Sequence, residues 1–353
     1  MGKQDVGDLE VIRQKLEAWI AQRLEVGDDF TLGELNFPEA SGESSVTLIV
    51  EASWQQGGAP HSEKFVLRMA PIESQVFESH DLKLQFDLME IMHKEGIPAP
   101  PLVGYEPDAT LIGSDFYVMH FVDGVIPPDN PPMAFTGWVS ELSADERTTM
   151  WTNGLEVMAR IHQIDISKYD LPTLPQSKPD EPPVAHEIAR YEGIMGMGMR
   201  DNADPIILEA WQFLKDTIPQ DGPRRLCWGD SRPGNIIWRD LKPVAMIDWE
   251  IAAIGDPLTD LAWYFWIDHC NSVGLGVPKM PGVPDYNDAY RHWSKLTGLP
   301  IDHVAWYELF VLVRFCIIME RKLVFMVRQD PNFADMVSHP VQFVQPLMDA
   351  VKA

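Results

Sequence analysis

The chain has 353 residues, too many for one small core, so two or three compact units are expected. With 45% apolar and 23% charged residues it has the make-up of an ordinary soluble globular protein. Its formal net charge of −25 leaves no basic excess to neutralise phosphates. That argues against nucleic acid or an anionic membrane as partner, and permits a cationic ligand without requiring one.

Residues 7–26 place Leu9, Ile12, Leu16, Trp19, Ile20 and Leu24 at helical spacing, with no apolar signal core around them. Gly2 invites a myristoylation reading, but Val6 stands where Ser or Thr is required. "VTLIVEASW" and "KFVLRMA" are strand-like, rich in β-branched and aromatic residues, and "QQGGAP" between them reads as a turn. "SHDLKLQFDLMEIMHKEG" reads as a helix ending at Gly96. "PPLVGYEPD" and "DFYVMHFVDG" are two further strands. After the Pro-rich "VDGVIPPDNPPM" the pattern turns helical, in "ERTTMWTNGLEVMARIHQID", "DPIILEAWQFLKDTI", "TDLAWYFWIDHC", "DYNDAYRHWSKLTG" and "HVAWYELFVLVRFCIIMERKLVFMVRQ". Arg314 and Glu320 break the last apolar run well short of a membrane span. The three cysteines, Cys227, Cys270 and Cys316, are unpatterned and read as buried free thiols. Together these features predict an α+β protein: a β-rich unit over residues 1–122 and a larger helical one over 123–353. No membrane anchorage and a cytoplasmic location are expected.

One β-hairpin interrupts the helical half: "WGDSRPGNIIWRDLKPVAMIDWE", residues 228–250. "NIIW" and "AMID" are short apolar strands joined by the turn "RDLKP". Pairing them brings Asn235, at the start of one, near Asp248, at the end of the other, with Asp230 in the loop before. An amide oxygen beside a carboxylate is a hard-oxygen site suited to Mg²⁺, which completes its shell with water and phosphate oxygens. A third carboxylate nearby can accept a proton from an attacking hydroxyl. These are the parts phosphoryl transfer needs. A lone Asp in a turn more often serves a backbone hydrogen bond; it is the acid, amide and acid on one strand–turn–strand that makes the chemical reading the stronger one.

At these residues the chain resembles the aminoglycoside phosphotransferases and choline kinases, small-molecule kinases of protein-kinase-like fold. Their pattern is roughly His-Gly-Asp-x-x-x-x-Asn, Ile-Asp-aromatic-acid, Gly-Asp-Pro and Asp-Leu-Ala; here it stands as "WGDSRPGN", "IDWE", "GDP" and "DLAW". In style the hairpin is similar to the kinase domain attached to certain acyl-CoA dehydrogenases. The resemblance implies a bilobal fold with a small β-rich N-lobe and a larger helical C-lobe, and ATP and Mg²⁺ as cofactors. It implies Asp230 as catalytic base and Asn235 and Asp248 as metal ligands. Asp256 and Asp260 would be structural acids, and Glu250 a support for the metal. Trp228 departs from the pattern's His. It can fill that volume but offers only an indole N–H. Arg232, inside the loop, could touch the γ-phosphate or the substrate.

The resemblance also assigns the first half to the nucleotide. "FPEASGESSVTLIVEA" is similar to the strand–loop–strand over the phosphates, with Gly42 for the turn and Ser44 and Ser45 as donors. Arg68 stands at the position of the phosphate-contacting lysine, a swap that keeps charge but not geometry. Its helix partner is Gln85, or Asp81 one turn earlier, where an ion pair would place a glutamate. Met119 would line the base pocket, and His120 and Val122 would present backbone groups to the purine.

Several motifs are set aside. "HEIAR" lacks the second zinc-binding His, because Arg190 stands there. "GIMGMG" has no preceding strand, so it is no dinucleotide fingerprint and reads instead as a loop over the substrate mouth. "GESSV" is no nucleophile elbow, since it lacks the second Gly. His162 reads as a packed helix residue. Two functional readings remain open, a small-molecule kinase acting on a hydroxyl and a nucleotide-binding pseudokinase suggested by Trp228, Arg68 and Gln85. The acceptor also stays open. Glu192, Asp201, Asp204 and Asp268 could form an acidic pocket for a polycation. Trp249, Trp263 and Trp266 could cage a choline-type ammonium. The dehydrogenase-linked resemblance points to a hydroxyacyl metabolite.

Overall fold

The computed structural model describes residues 8–38, 46–70, 81–336 and 338–352. The chain divides into two compact units, residues 1–123 and 124–353. Gly42, Ser44 and Ser45 lie outside the described residues.

The first unit is a five-stranded sheet with two helices. Its elements are α1 (Leu9–Leu24), β1 (Thr31–Leu32), β2 (Val46–Gln56), β3 (Ala59–Met69), α2 (Leu82–Lys94), β4 (Leu102–Glu106) and β5 (Phe116–His120). The strand order is β1-β2-β3-β5-β4, each neighbouring pair antiparallel. β2 and β3 run two to five residues further toward their shared turn than the apolar pattern indicates. Gln56 pairs with Ala59 across Gly57 and Gly58, at φ +60° and +82°. Two consecutive positive φ values make the two-residue turn whose twist matches that of the strands, and glycine adopts them without strain.

Successive side chains on a strand point to opposite faces, and this sheet uses both. Phe116 and Val118 join Leu48, Val50, Phe65 and Leu67 in a core that also takes Ile12, Leu16, Trp19 and Ile20 from α1. Tyr117, on the alternate face, meets α2, where Phe86 lies 6.3 Å from its ring and its hydroxyl donates to Gln85 at 3.4 Å. α1 starts at Asp8, whose carboxylate caps the Glu10 N–H at 2.9 Å.

The second unit contains α3 (Trp138–Glu141), α4 (Ala144–Ile161), α5 (Ala185–Gly196), α6 (Ile206–Asp216), β6 (Arg225–Cys227), β7 (Ile236–Arg239), β8 (Lys242–Met246), β9 (Ala253–Gly255), α7 (Leu258–Cys270), α8 (Tyr286–Thr297), α9 (Val304–Gln329) and α10 (Val344–Lys352). α4 begins with a capping box in which Ser143 and Glu146 satisfy each other's backbone donors. α7 and the first half of α9 are buried on nearly every side, as expected of helices that cross the middle of a core. The charges on α9 are answered inside the fold: Arg314 meets Glu187 at 2.8 Å and Glu320 meets Arg200 at 2.8 Å. Among the described residues no helix is long and apolar enough to cross a membrane. The three cysteines are buried and free.

"GIMG" is not a loop. Residues 193–196 form the last turn of α5, and Arg321 seals the exit by donating to the carbonyls of Met197 and Gly198 at 2.9 and 2.6 Å. Gly193, Gly196 and the β-branched Ile194 give this turn a weak helix propensity, which the surrounding tertiary contacts override.

Candidate active site

The site grows from two small ladders. β6 pairs with β9, Cys227 opposite Ala253, and β7 pairs with β8, Ile236 opposite Met246. The β7–β8 turn holds Asp240 and Leu241 at φ +50° and +60°. The loop 228–235 is clamped between the ladders. Its Gly229 sits at φ +93°, and a Cβ there would lie 2.4 Å from the Ile251 carbonyl oxygen, so only glycine fits.

Asp260, on α7 and fully buried, holds this loop from below. Its Oδ2 accepts the Trp228 N–H at 2.6 Å and its Oδ1 the Gly229 N–H at 2.8 Å, while its carbonyl accepts the Ser231 hydroxyl at 2.7 Å. His162 Nε2 lies 3.0 Å from the same carboxylate, and Trp293 Nε1 lies 3.0 Å from His162 Nδ1. Indole is a donor only, so Nδ1 accepts and the imidazole proton sits on Nε2, facing Asp260. Trp228 is wholly buried, and its indole N–H reaches the Ile247 carbonyl at 2.9 Å, next to Asp248. The departure from histidine thus leaves the loop tied by a hydrogen bond of its own. Asp256 accepts from the Leu258 N–H at 2.9 Å at the start of α7, and burial pushes its carboxyl up to about 6.

Asp230 projects from the loop with its side chain 20% exposed. Trp263 Nε1 donates to Oδ1 at 2.7 Å. Asn235 Nδ2 and Arg232 Nε donate to Oδ2 at 2.6 and 3.2 Å. Burial works to raise this carboxyl, but the Arg232 charge and the Trp263 and Asn235 donors outweigh it and hold it below the usual carboxylate range. A carboxylate has about four acceptor positions. Two on Oδ2 and one on Oδ1 are used by these donors, which leaves the second position of Oδ1. Arg232 also forms a two-pronged ion pair with Asp129, Nη2 to Oδ2 at 3.0 Å.

Asn235 and Asp248 are brought together by the hairpin, since the Ile247 N–H donates to the Asn235 carbonyl at 3.0 Å. The Asn235 amide nitrogen is turned to Asp230, so its oxygen is the end left for a cation. Asp248 holds φ +64°, uncommon for a non-glycine and costing on the order of 1–3 kcal/mol. Glu250 follows in the next turn. Among the described residues no three His, Cys, Asp or Glu cluster as a metal cage. One amide and one carboxylate oxygen fit a hard cation that keeps water and phosphate ligands.

In the first unit, Arg68 on β3 donates to the Thr47 hydroxyl at 2.9 Å. Gln85, 1% exposed, takes its bond from Tyr117, and Asp81 caps α2 through the Leu84 N–H at 2.8 Å. Met119 is buried near the end of β5. The His120 N–H donates to the Pro101 carbonyl at 2.8 Å. Pro101 has no N–H to return, so the reciprocal ladder bond to the His120 carbonyl does not form. Val122 follows two residues on. The His120 ring lies 2.6 Å from Glu63.

Beside Arg232 the second unit has a narrow cleft. Its walls include Trp151, Phe265 and Tyr286, and its polar groups include Asp129, Asp268 and Lys279. Lys279 Nζ lies 4.2 Å over the Tyr286 ring. Burial pushes the Asp268 carboxyl up to about 8, with the Arg232 charge opposing and Asp129 reinforcing. The other anticipated acids are placed elsewhere: Glu192 pairs with Lys215 at 2.8 Å and Asp204 caps Ile206 at 3.0 Å. The three candidate cage tryptophans do not come together at the cleft. Trp249 packs on Trp228 at 5.9 Å, Trp263 faces Asp230, and Trp266 packs on His269.

A five-stranded antiparallel sheet with its helices, then a helical unit whose hairpin carries Asp, Asn and Asp, defines a kinase-like phosphotransferase. The chain belongs to the phosphotransferase enzyme family, whose model matches residues 51–298. It is similar to acyl-CoA dehydrogenase family member 11 of Homo sapiens, 26% identical in an alignment that covers 73% of this chain and 32% of that protein. It is similar also to acyl-CoA dehydrogenase family member 10 of Mus musculus, 24% identical over 79% of this chain and 25% of that protein. The chain thus spans at most about a third of these relatives. Among solved structures, a Ralstonia eutropha protein assigned to the aminoglycoside phosphotransferases has a TM-score of 0.67 at 20% identity, over 96% of each chain. A phosphotransferase solved with GDP and kanamycin has a TM-score of 0.57 at 15% identity, over 94% and 98%. The choline kinase LicA of Streptococcus pneumoniae has a TM-score of 0.53 at 13% identity, over 96% and 98%. These likenesses establish the kinase-like fold.

Proposed function

We propose that the chain is an ATP- and Mg²⁺-dependent kinase that transfers the γ-phosphate to a hydroxyl of a small molecule. The observation that carries this reading is Asp230: three of its four acceptor positions are filled, and the one left on Oδ1 is where an acceptor hydroxyl would dock and give up its proton. Orienting the nucleophile and neutralising phosphate charge account for nearly all of phosphoryl-transfer catalysis. Asn235 and Asp248 would hold the cation, whose chemistry is to neutralise charge on the transferred phosphate. Arg68, Ser44 and Ser45 would bind the nucleotide phosphates, with Gln85 behind Arg68. Met119 and the backbone of His120 and Val122 would take the base. Arg232, already held by Asp129, would face the γ-phosphate or the acceptor.

The cleft beside Arg232 is the natural place for the acceptor. Its Asp129–Arg232 pair cancels, Lys279 adds a cation, and Trp151, Phe265 and Tyr286 offer aromatic surface. That favours an apolar-bodied alcohol over a polycation, and a hydroxyacyl compound is consistent with the acyl-CoA dehydrogenase relatives. Of the three departures that suggest a pseudokinase, Trp228, Arg68 and Gln85, the first is offset by the loop-closing bond of its indole, which favours the enzyme reading. Calorimetric titration of ATP with and without Mg²⁺ tests the cation site. Asp248→Ala should erase the Mg²⁺-dependent gain in affinity; a variant that keeps the full gain removes Asp248 from the role.

A further inference from the structure

Arg314 is a residue the proposed reaction does not use, and its placement needs a reason. It lies in the middle of α9, 1% exposed, in an otherwise apolar stretch. Withdrawing a charge from water costs several kcal/mol even after relaxation. A methionine or leucine would fill the volume without that cost. What the guanidinium does instead is lie on aromatic faces: its central carbon is 4.6 Å from the Trp263 ring centre, 4.9 Å from Tyr191 and 5.6 Å from Phe310. Its charge is balanced by Glu187 of α5, 2.8 Å away and itself buried. The same Trp263 gives its N–H to Asp230 Oδ1 at 2.7 Å.

We propose that Glu187, Arg314 and Trp263 form a positioning relay for Asp230, in which the buried cation on the indole face strengthens the N–H bond that fixes the carboxylate. A cation over an indole draws on the electron density of the ring. The N–H at the ring edge becomes a stronger donor, and its acceptor is an anion. Hydrogen bonds polarised in series in a low-dielectric interior reinforce one another. Arginine suits the role better than lysine because its flat guanidinium stacks. Trp263 also determines which oxygen keeps an open position: it occupies one side of Oδ1 and so directs the other. None of the three would touch substrate. The inference deepens the reading of Asp230 as the base, while the relay itself is testable without turnover.

The test uses the full chain labelled with ¹⁵N-tryptophan, observed by its indole N–H resonances at one pH. Trp263→Phe identifies the Trp263 signal by its loss. That signal should lie downfield, and Arg314→Met should move it upfield while the other indoles away from α9 stay in place. Arg314→Lys, which keeps charge but not stacking, should give a partial shift, and it serves if the methionine variant fails to fold. In Mg·ATP turnover with water as acceptor, Trp263→Phe should lower kcat about 10- to 100-fold, with the KM for ATP unchanged. A Trp263 resonance that stays put in both Arg314 variants overturns the relay. Unchanged kcat in a folded Trp263→Phe overturns its bearing on Asp230. Resonance shifts as expected in a wild-type chain that shows no turnover with water support the relay, and the kinase reading is then judged on ADP release with acceptor alcohols.

Discussion

Replacing Asp260 with asparagine should cost a large share of the second unit's stability. The carboxylate is fully buried and receives two backbone N–H groups, at 2.6 and 2.8 Å, and the His162 imidazole at 3.0 Å. Hydrogen bonds to a charged group contribute about 1.5–3 kcal/mol and neutral ones about 0.5–1.5, so neutralisation forfeits about 1 kcal/mol at each of the two backbone bonds. The new amide must also turn its NH₂ toward one of the donors, Trp228, Gly229 or His162, and stranding that donor adds about 1–3 kcal/mol. The sum is about 3–5 kcal/mol, a large part of the 5–15 kcal/mol typical of a folded domain. Urea unfolding followed by tryptophan fluorescence measures it. A loss below about 1 kcal/mol with an unchanged denaturant slope would show that Asp260 does not carry the loop.

Two further outcomes follow from packing and burial. Gly154→Ala on α4 would place a Cβ 2.2 Å from the Tyr264 hydroxyl oxygen, which now donates to the Trp151 carbonyl. Overpacking there outweighs the helical gain of alanine, and a net loss of about 1–3 kcal/mol should appear as a lower Tm. Asp268, with its carboxyl pushed up to about 8, stays protonated in the fold where the unfolded chain ionises near 4. The fold then binds the extra proton, so this group's contribution is lost as pH rises from about 4 to about 8. Asp268→Asn should gain on the wild type across that window, by on the order of 2–4 kcal/mol between pH 5 and pH 8. Parallel stability curves for the two proteins would contradict it.

The parts of this molecule that rest on local pattern were readable in the chain. Runs rich in β-branched and aromatic residues marked the strands, Gly57-Gly58 marked their turn, and the acid–amide–acid spacing marked the hairpin. What could not be read depends on partners far away in sequence. Asp129 and Arg232 are 103 residues apart, and His162 and Asp260 are 98 apart. His162 reads correctly as a packed helix residue, yet nothing local shows that it braces the acid beneath the loop. Trp263 stood out as an aromatic, but its use as a donor needs the position of Asp230. Glu187 lay inside a discarded zinc motif and Arg314 looked like a break in an apolar run; only their contact explains either. α10 was not anticipated; Pro346 stands in its first turn, where a helix tolerates proline.

The central claim is that Asp230 orients a hydroxyl for phosphoryl transfer. Its most direct test is ADP release from Mg·ATP with a panel of aminoglycosides, choline-like amines, sugars and hydroxyacyl thioesters, run on the wild type and on Asp230→Asn. The account predicts acceptor-dependent ADP from the wild type, lowered by about 10²-fold or more in the variant while ATP binding persists. Equal turnover by the two proteins would contradict it.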